Sequence, residues 1–207
     1  MTSPGENESL EAARRRGDAA AAGHTGDETA ARAFFTDPDA GVRAAALGAL
    51  VRMGRATPQD AQSGLADVDP RARRYACELG ADLPGADFAA LLDDPDDIVV
   101  EAACYAVGEV GDSRAVTELV RIASSHSDAL CRESAVAALG AIGDADGLAA
   151  VLAALADKPQ IRRRAVVALA AFEGPECDAA LKGCLADPDW QVRQAAEDVL
   201  GVISDGD

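Results

Sequence analysis

The chain repeats one phrase six times. It reads DPDAGVRAAALGALVRMG from Asp37, DVDPRARRYACELGADL from Asp67 and DDPDDIVVEAACYAVGEVGD from Asp93. It returns as SDALCRESAVAALGAIGD from Ser127, ADKPQIRRRAVVALAAFEG from Ala156 and ADPDWQVRQAAEDVLGVIS from Ala186. The template is an Asp/Pro turn, an apolar anchor, an Arg, and Ala-rich text that closes near Leu-Gly. The anchors are Val42, Ala72, Val99, Cys131, Ile161 and Val192, spaced by 30, 27, 32, 30 and 31 residues. The second copy is the loosest, because Gly80 arrives a residue early. A period near ~30 residues in helix-forming text fits two helices per unit, and such a unit cannot bury its apolar face without stacking on a neighbour.

Each unit reads as helix A, a tight turn, helix B and a short link. The approximate units are residues 27–56, 57–86, 87–113, 114–144, 145–174 and 175–207. Residues 1–26 are an N-terminal tail in which 9–22 form a capping helix and 1–6 are expected to be disordered. On helix B, positions 0, +4, +8 and +11 from the anchor share one face; in the last unit these are Val192, Ala196, Leu200 and Ile203. Thr57 before Pro58 suits an N-cap followed by Pro at the first helical position, and Gly54, Gly111, Gly143 and Gly174 suit helix stops.

Composition agrees with an all-helical fold. Hydrophobic residues make up 49% but aromatics only 3%, so the core must be built from Ala, Leu and Val rather than from the side chains that favour sheets. The net charge of −17 opposes phosphate backbones and anionic lipid, which argues against nucleic acid as a partner. No apolar stretch reaches the roughly 20 residues of a membrane span, and the N-terminus lacks the apolar segment of a signal peptide. Cys77, Cys104, Cys131, Cys177 and Cys184 form no CxxC and read as small buried hydrophobes in a reduced, cytoplasmic setting. No phosphate-loop, dinucleotide, nucleophile-elbow or zinc-protease motif occurs, so no catalytic, cofactor-binding or metal-binding residue is assigned. His24 reads as part of a link and His126 as a solvated turn residue. Trp190 reads as a packing or cap residue of the last unit, and the Arg162–Arg164 run as spine and solvated positions.

The phrase Asp-Pro-x-x-x-Val-Arg-x-x-Ala-Ala-x-Ala-Leu-Gly resembles the HEAT repeat, in the short form also found in phycobilin lyases, over about 180 residues. The resemblance implies an all-α, right-handed solenoid of about six two-helix repeats behind an N-terminal capping helix. It also implies a concave surface, lined by the B helices, that holds another protein. Enzymes resembling deoxyhypusine hydroxylase would need His-Glu pairs, which this sequence lacks. HEAT-like DNA glycosylases would need a basic, aromatic face. A lyase of the phycobilin type and a nucleic-acid binder stand as alternatives to the expected function, a non-enzymatic, monomeric interaction scaffold.

The recurrent charges read first as structure. Asp39, Asp69, Asp96, Asp128 and Asp189 are placed to cap the B helices. Arg43, Arg73, Arg132, Arg162 and Arg193, one turn on, are placed to pair with those carboxylates or with the Asp of the adjacent repeat, as the resemblance also implies. Val100 in place of Arg, and Lys158 in place of Asp, predict weaker pairing in the third and fifth units. Positions +2, +6 and +10 of helix B point away from the buried stripe. In the middle units they bring Glu78, Asp82, Glu101, Tyr105, Glu109 and Glu133 to the groove, an acidic surface with one aromatic that suits a basic segment of a partner protein.

Overall fold

A computed structural model describes residues 4–201, with backbone only for residues 4–7. Every regular element among them is helical, and the fold is the all-α solenoid class built from helical hairpins. Two compact units divide the chain, residues 1–91 and 92–207. The first contains α1 (Pro4–Thr25), α2 (Glu28–Ala33), α3 (Ala40–Arg52), α4 (Pro58–Leu65) and α5 (Pro70–Glu78). The second contains α6 (Asp97–Val110), α7 (Val116–Ser125), α8 (Ala129–Ile142), α9 (Leu148–Ala153), α10 (Pro159–Leu169), α11 (Pro175–Cys184) and α12 (Trp190–Leu200). The division falls after the third repeat's helix A, which is a single 3-10 turn at Phe88–Leu91. Helix α1 begins at Pro4, so the order expected only from residue 9 starts earlier; residues 1–3 and Ile203 lie outside the described residues.

Caps define the helix starts. The side chains of Asp39, Asp69, Asp96, Asp128 and Asp189 each accept a hydrogen bond from a backbone N–H of the first turn of α3, α5, α6, α8 and α12. Thr57 caps α4 in a reciprocal box with Asp60, a buried carboxylate that also receives Arg32 of α2 at 3.0 Å. Helix α5 ends early: Gly80 turns to φ +51°, and a 3-10 turn covers Gly80–Asp82. Asp82 is therefore not on helix B, and the sequence expectation that it continues the Glu78 stripe is corrected.

In the second unit, the B helices α6, α8, α10 and α12 pack in succession, with α7, α9 and α11 alongside. The anchors Val99, Cys131, Ile161 and Val192 are all fully buried. With so few large side chains the helices must come close. A Cβ placed on Gly140 of α8 would lie 2.6 Å from the Cα of Ala168 in α10, inside van der Waals contact. The first unit has the same character: α1 lies on α3 in the place a preceding B helix would take.

Of the two pairings expected for the Asp/Arg spine, the structure shows the one to the adjacent repeat. The B-helix Arg does not pair with the cap Asp. It pairs with a carboxylate just ahead of the next cap: Arg43 with Asp67 at 2.6 Å, Arg132 with Asp157 at 2.7 Å and Arg162 with Asp187 at 2.7 Å. Arg15 of α1 extends the series to Asp37 at 2.7 Å. Each pair is bidentate, and the remaining guanidinium nitrogen of Arg43, Arg132 and Arg162 donates to backbone carbonyls of its own turn. Arg73 and Arg193 donate in the same way to the carbonyls of Asp67 and Asp187, both at 2.7 Å. The Arg hydrogen bonds hold the carboxyls of Asp37, Asp157 and Asp187 below the ordinary range, and burial opposes them.

The two irregular units resolve separately. Lys158 gives α10 no side-chain cap, yet Arg132 is fully paired, because Asp157 rather than residue 158 supplies the carboxylate. The expected weakening there is corrected. In the third unit Val100 is buried where the Arg would be. The matching acceptor is replaced as well: His126 takes the place of the Asp two residues before the cap, and its Nδ1 accepts from the backbone N–H of Asp128 at 3.2 Å. His126 is thus a half-buried turn element rather than a solvated one.

Candidate functional site

Helix B exposes the residues that neither its hairpin partner nor the neighbouring B helices cover. Counted from the anchors, these are positions −1, +2, +6 and +10, one stripe of an α-helix. In α6 the stripe is Ile98, Glu101, Tyr105 and Glu109; in α8 it is Leu130, Glu133, Ala137 and Ala141. In α10 it is Gln160, Arg163, Val167 and Ala171, the last just past the helix end. In α12 it is Gln191, Gln194 and Asp198, with Trp190 at the helix start. Burial of large apolar groups normally accompanies folding, but here Tyr105 is 58% exposed, Leu130 56%, Val167 50% and Trp190 64%.

The acidic residues named from sequence behave unequally. Tyr105 donates its hydroxyl proton to Glu109 at 3.1 Å, and that carboxylate raises the phenol's pKa. Both side chains are exposed, while Glu101, one turn earlier, is half-buried. Glu133 is held by Arg164 of α10 at 3.5 Å and retains little exposure, so it bridges two B helices. In the first unit, Glu78 is exposed and paired with Arg74 at 2.8 Å, and Asp82 is exposed in its 3-10 turn. The structure therefore brings together Glu101, Tyr105 and Glu109 on α6, ties Glu133 into a bridge, and assigns Glu78 and Asp82 to the other unit.

Two grooves on the B helices were not anticipated. One, of about 540 Å³, lies between α10 and α12 and is lined by Arg163, Arg164, Val167, Trp190, Gln194 and Asp198 among others. The other, of about 450 Å³, lies in the first unit over an alanine floor with Arg16, Asp39, Arg71 and Tyr75 at its edge. Reading Trp190 as a packing residue missed the first groove: as the opening residue of α12 its ring has no helical turn before it to cover it. The Arg162–Arg164 run also splits, since consecutive helical residues point about 100° apart. Arg162 enters the spine, while Arg163 and Arg164 line the groove.

The cysteines are buried, and the Cys131 thiol, donating to the Asp97 carbonyl at 3.2 Å, is pushed up to about 12 chiefly by burial. Among the described residues no group of three or more His, Cys, Asp and Glu side chains is placed to hold a metal ion. Among them, too, no helix is long and apolar enough to cross a membrane.

The family model for HEAT repeats matches residues 85–170 and 135–201, together more than half of the chain. Human deoxyhypusine hydroxylase in complex with glycerol is similar in structure at a TM-score of 0.51 and 23% identity, over 90% of this chain and 78% of that one. A designed armadillo repeat protein in complex with the peptide (KR)4 is similar at 0.51 and 17%, over 97% and 95% of the two chains. A second designed armadillo repeat protein is similar at 0.50 and 16%, over 91% and 90%. At these identities the likenesses concern the fold alone. A search of curated proteins by sequence finds no match.

Proposed function

This chain belongs to the HEAT-repeat family, and from that premise we propose that it is a non-enzymatic interaction scaffold which binds a segment of a partner protein on the exposed stripe of its B helices. The observation that carries the reading is the row of Tyr105, Leu130, Val167 and Trp190, large apolar side chains left half or more exposed on four consecutively packed helices. An isolated exposed apolar residue needs no explanation, but here each of four successive B helices carries one, and two of them, Val167 and Trp190, line one groove. Aromatic side chains also supply contact area at low entropic cost. On α6, Glu101 and Glu109 flank Tyr105 and suit a basic stretch of the partner: carboxylates attract its charge, and the phenol offers both a ring face and an acceptor. The complex of a designed armadillo repeat protein with the peptide (KR)4 is a case of a similar fold holding such a sequence.

The test uses a dye-labelled peptide of alternating Lys and Arg, followed by fluorescence anisotropy at ~0.15 M salt, where surface charges beyond about 8 Å are screened. The double variant Glu101→Lys with Glu109→Lys is expected to lose at least ~tenfold in affinity with an unchanged melt. Equal affinity in the double variant removes α6 from the site. Metal analysis and turnover assays on the purified protein address the alternative of a HEAT-like enzyme.

A further inference from the structure

We propose that the groove between α10 and α12 holds an acidic stretch of the partner segment, with a carboxylate on Arg163 and Arg164 and an adjoining large apolar side chain between Val167 and Trp190. This rests on the reading that the B-helix stripe takes a protein segment, and it gives that segment a second charge requirement opposite to the one at α6.

Arg163 is exposed and has no ion-pair partner among the described residues. Arg164 reaches Glu133 only through one terminal nitrogen at 3.5 Å, and its Nε is buried without a hydrogen-bond acceptor. A buried donor left unpaired is costly, so a ligand oxygen that reached it would recover that cost on binding. The groove's own acid, Asp198, is already engaged, accepting from the side-chain amide of Gln194 at 3.0 Å. Arg164 is balanced by Glu133, and Asp198 keeps its charge while accepting from a neutral amide, so Arg163 is the guanidinium of the groove that faces it without an ion-pair contact. At physiological salt the chain's distant acids are largely screened, and Arg163 is the charge in the groove that a ligand carboxylate meets without displacing an ion-pair partner.

The apolar half of the requirement comes from Trp190 and Val167, which face the same space at 64% and 50% exposure. A volume near 540 Å³ exceeds a single side chain, and the groove is open, which fits a passing polypeptide better than an enclosed small molecule. Arg on a carboxylate beside a Trp face is a combination found where binding energy concentrates in protein interfaces.

Trp190 is the chain's single tryptophan, so its emission reports on this groove alone. The probe is the blocked peptide Gly-Ser-Asp-Leu-Glu-Leu-Asp-Ser-Gly, with a counterpart carrying Lys at every acidic position, titrated at ~0.15 M salt. The acidic peptide is expected to change Trp190 emission saturably below about 1 mM. Arg163→Glu is expected to weaken that response at least ~tenfold without altering the melt, and Arg163→Gln to fall between. An equal or stronger emission change with the Lys peptide overturns the proposal, as does an Arg163→Glu titration that matches the unsubstituted chain or the absence of any saturable change. The same series separates the two readings. If the Lys/Arg peptide still binds at Glu101 and Glu109 while the acidic peptide fails, the scaffold reading stands and the groove assignment falls.

Discussion

Replacing Arg132 with Ala tests whether the spine holds adjacent repeats together. Its guanidinium donates to Asp157 at 2.7 and 3.0 Å and to the carbonyls of His126 and Ser127 at 2.8 and 3.1 Å. Hydrogen bonds to charged groups contribute about 1.5–3 kcal/mol each when one is removed alone, but the four share one side chain and do not add. An exposed ion pair contributes about 0–1 kcal/mol, and breaking a buried one costs about 3–5 kcal/mol. The Arg132 and Asp157 side chains keep 15% and 22% exposure, so water recovers part of the loss. We expect a destabilisation of about 2–3 kcal/mol, or roughly 4–10 °C in the melting temperature of a chain this size. Arg121 is the control. It pairs with Glu118 and, at 3.5 Å, with Asp93, but it is 47% exposed, and Arg121→Ala should cost under about 0.5 kcal/mol. Urea and thermal melts followed by far-UV circular dichroism compare the two. A double-mutant cycle of Arg132→Ala with Asp157→Ala should return a coupling of about 1–2 kcal/mol. Melts of Arg132→Ala and Arg121→Ala that coincide, or a cycle that is simply additive, refute the argument.

Three further outcomes follow from the same structure. Gly140→Ala should destabilise by about 1–3 kcal/mol, although the helix propensity of Ala alone would favour it, because the added methyl meets the Ala168 backbone; a raised melting temperature would mean that α8 and α10 are not in close contact. Asp157, Asp187 and Asp69 all have folded pKa values below the unfolded one, Asp69 at about 2 through Arg71, so their stabilisation is present above the usual 3.8 and is lost as pH falls through the folded values. The difference in melting temperature between the unsubstituted chain and Arg132→Ala should accordingly shrink as the solution is acidified, and a constant difference would count against the pairing. All five thiols should resist a disulfide reagent at pH ~8 in the folded chain and react on denaturation, since burial raises Cys131 to about 12 and also raises Cys177 and Cys184; rapid reaction of the native protein would contradict the packing.

Local chemistry made much of the fold legible in the residues themselves. The repeat period, the capping role of Asp39, Asp69, Asp96, Asp128 and Asp189, and the burial of Val42, Val99, Cys131, Ile161 and Val192 depend on helical periodicity and on backbone donors within a few residues, and the sequence by itself determined them. The stripe positions on α6 follow from the same periodicity, which is why Glu101, Tyr105 and Glu109 were found together. Asp82 was not, because counting along a helix presumes that the helix continues, and Gly80 ends it. Only the tertiary structure decided which carboxylate each spine Arg reaches. At the second and sixth turns an Asp stands on each side of the Val or Pro, both near the Arg, and the stacking offset between hairpins selects Asp67 and Asp187 over the caps Asp69 and Asp189; at the fifth turn, where Lys158 stands at the cap, the same offset brings Arg132 to Asp157. It also decided that Glu133 is consumed by Arg164, and that Arg163 and Trp190 share a groove although 27 residues separate them in the sequence. Those pairings join different helices, and the distance between two helices is set by how their small side chains pack, a quantity that no residue carries alone.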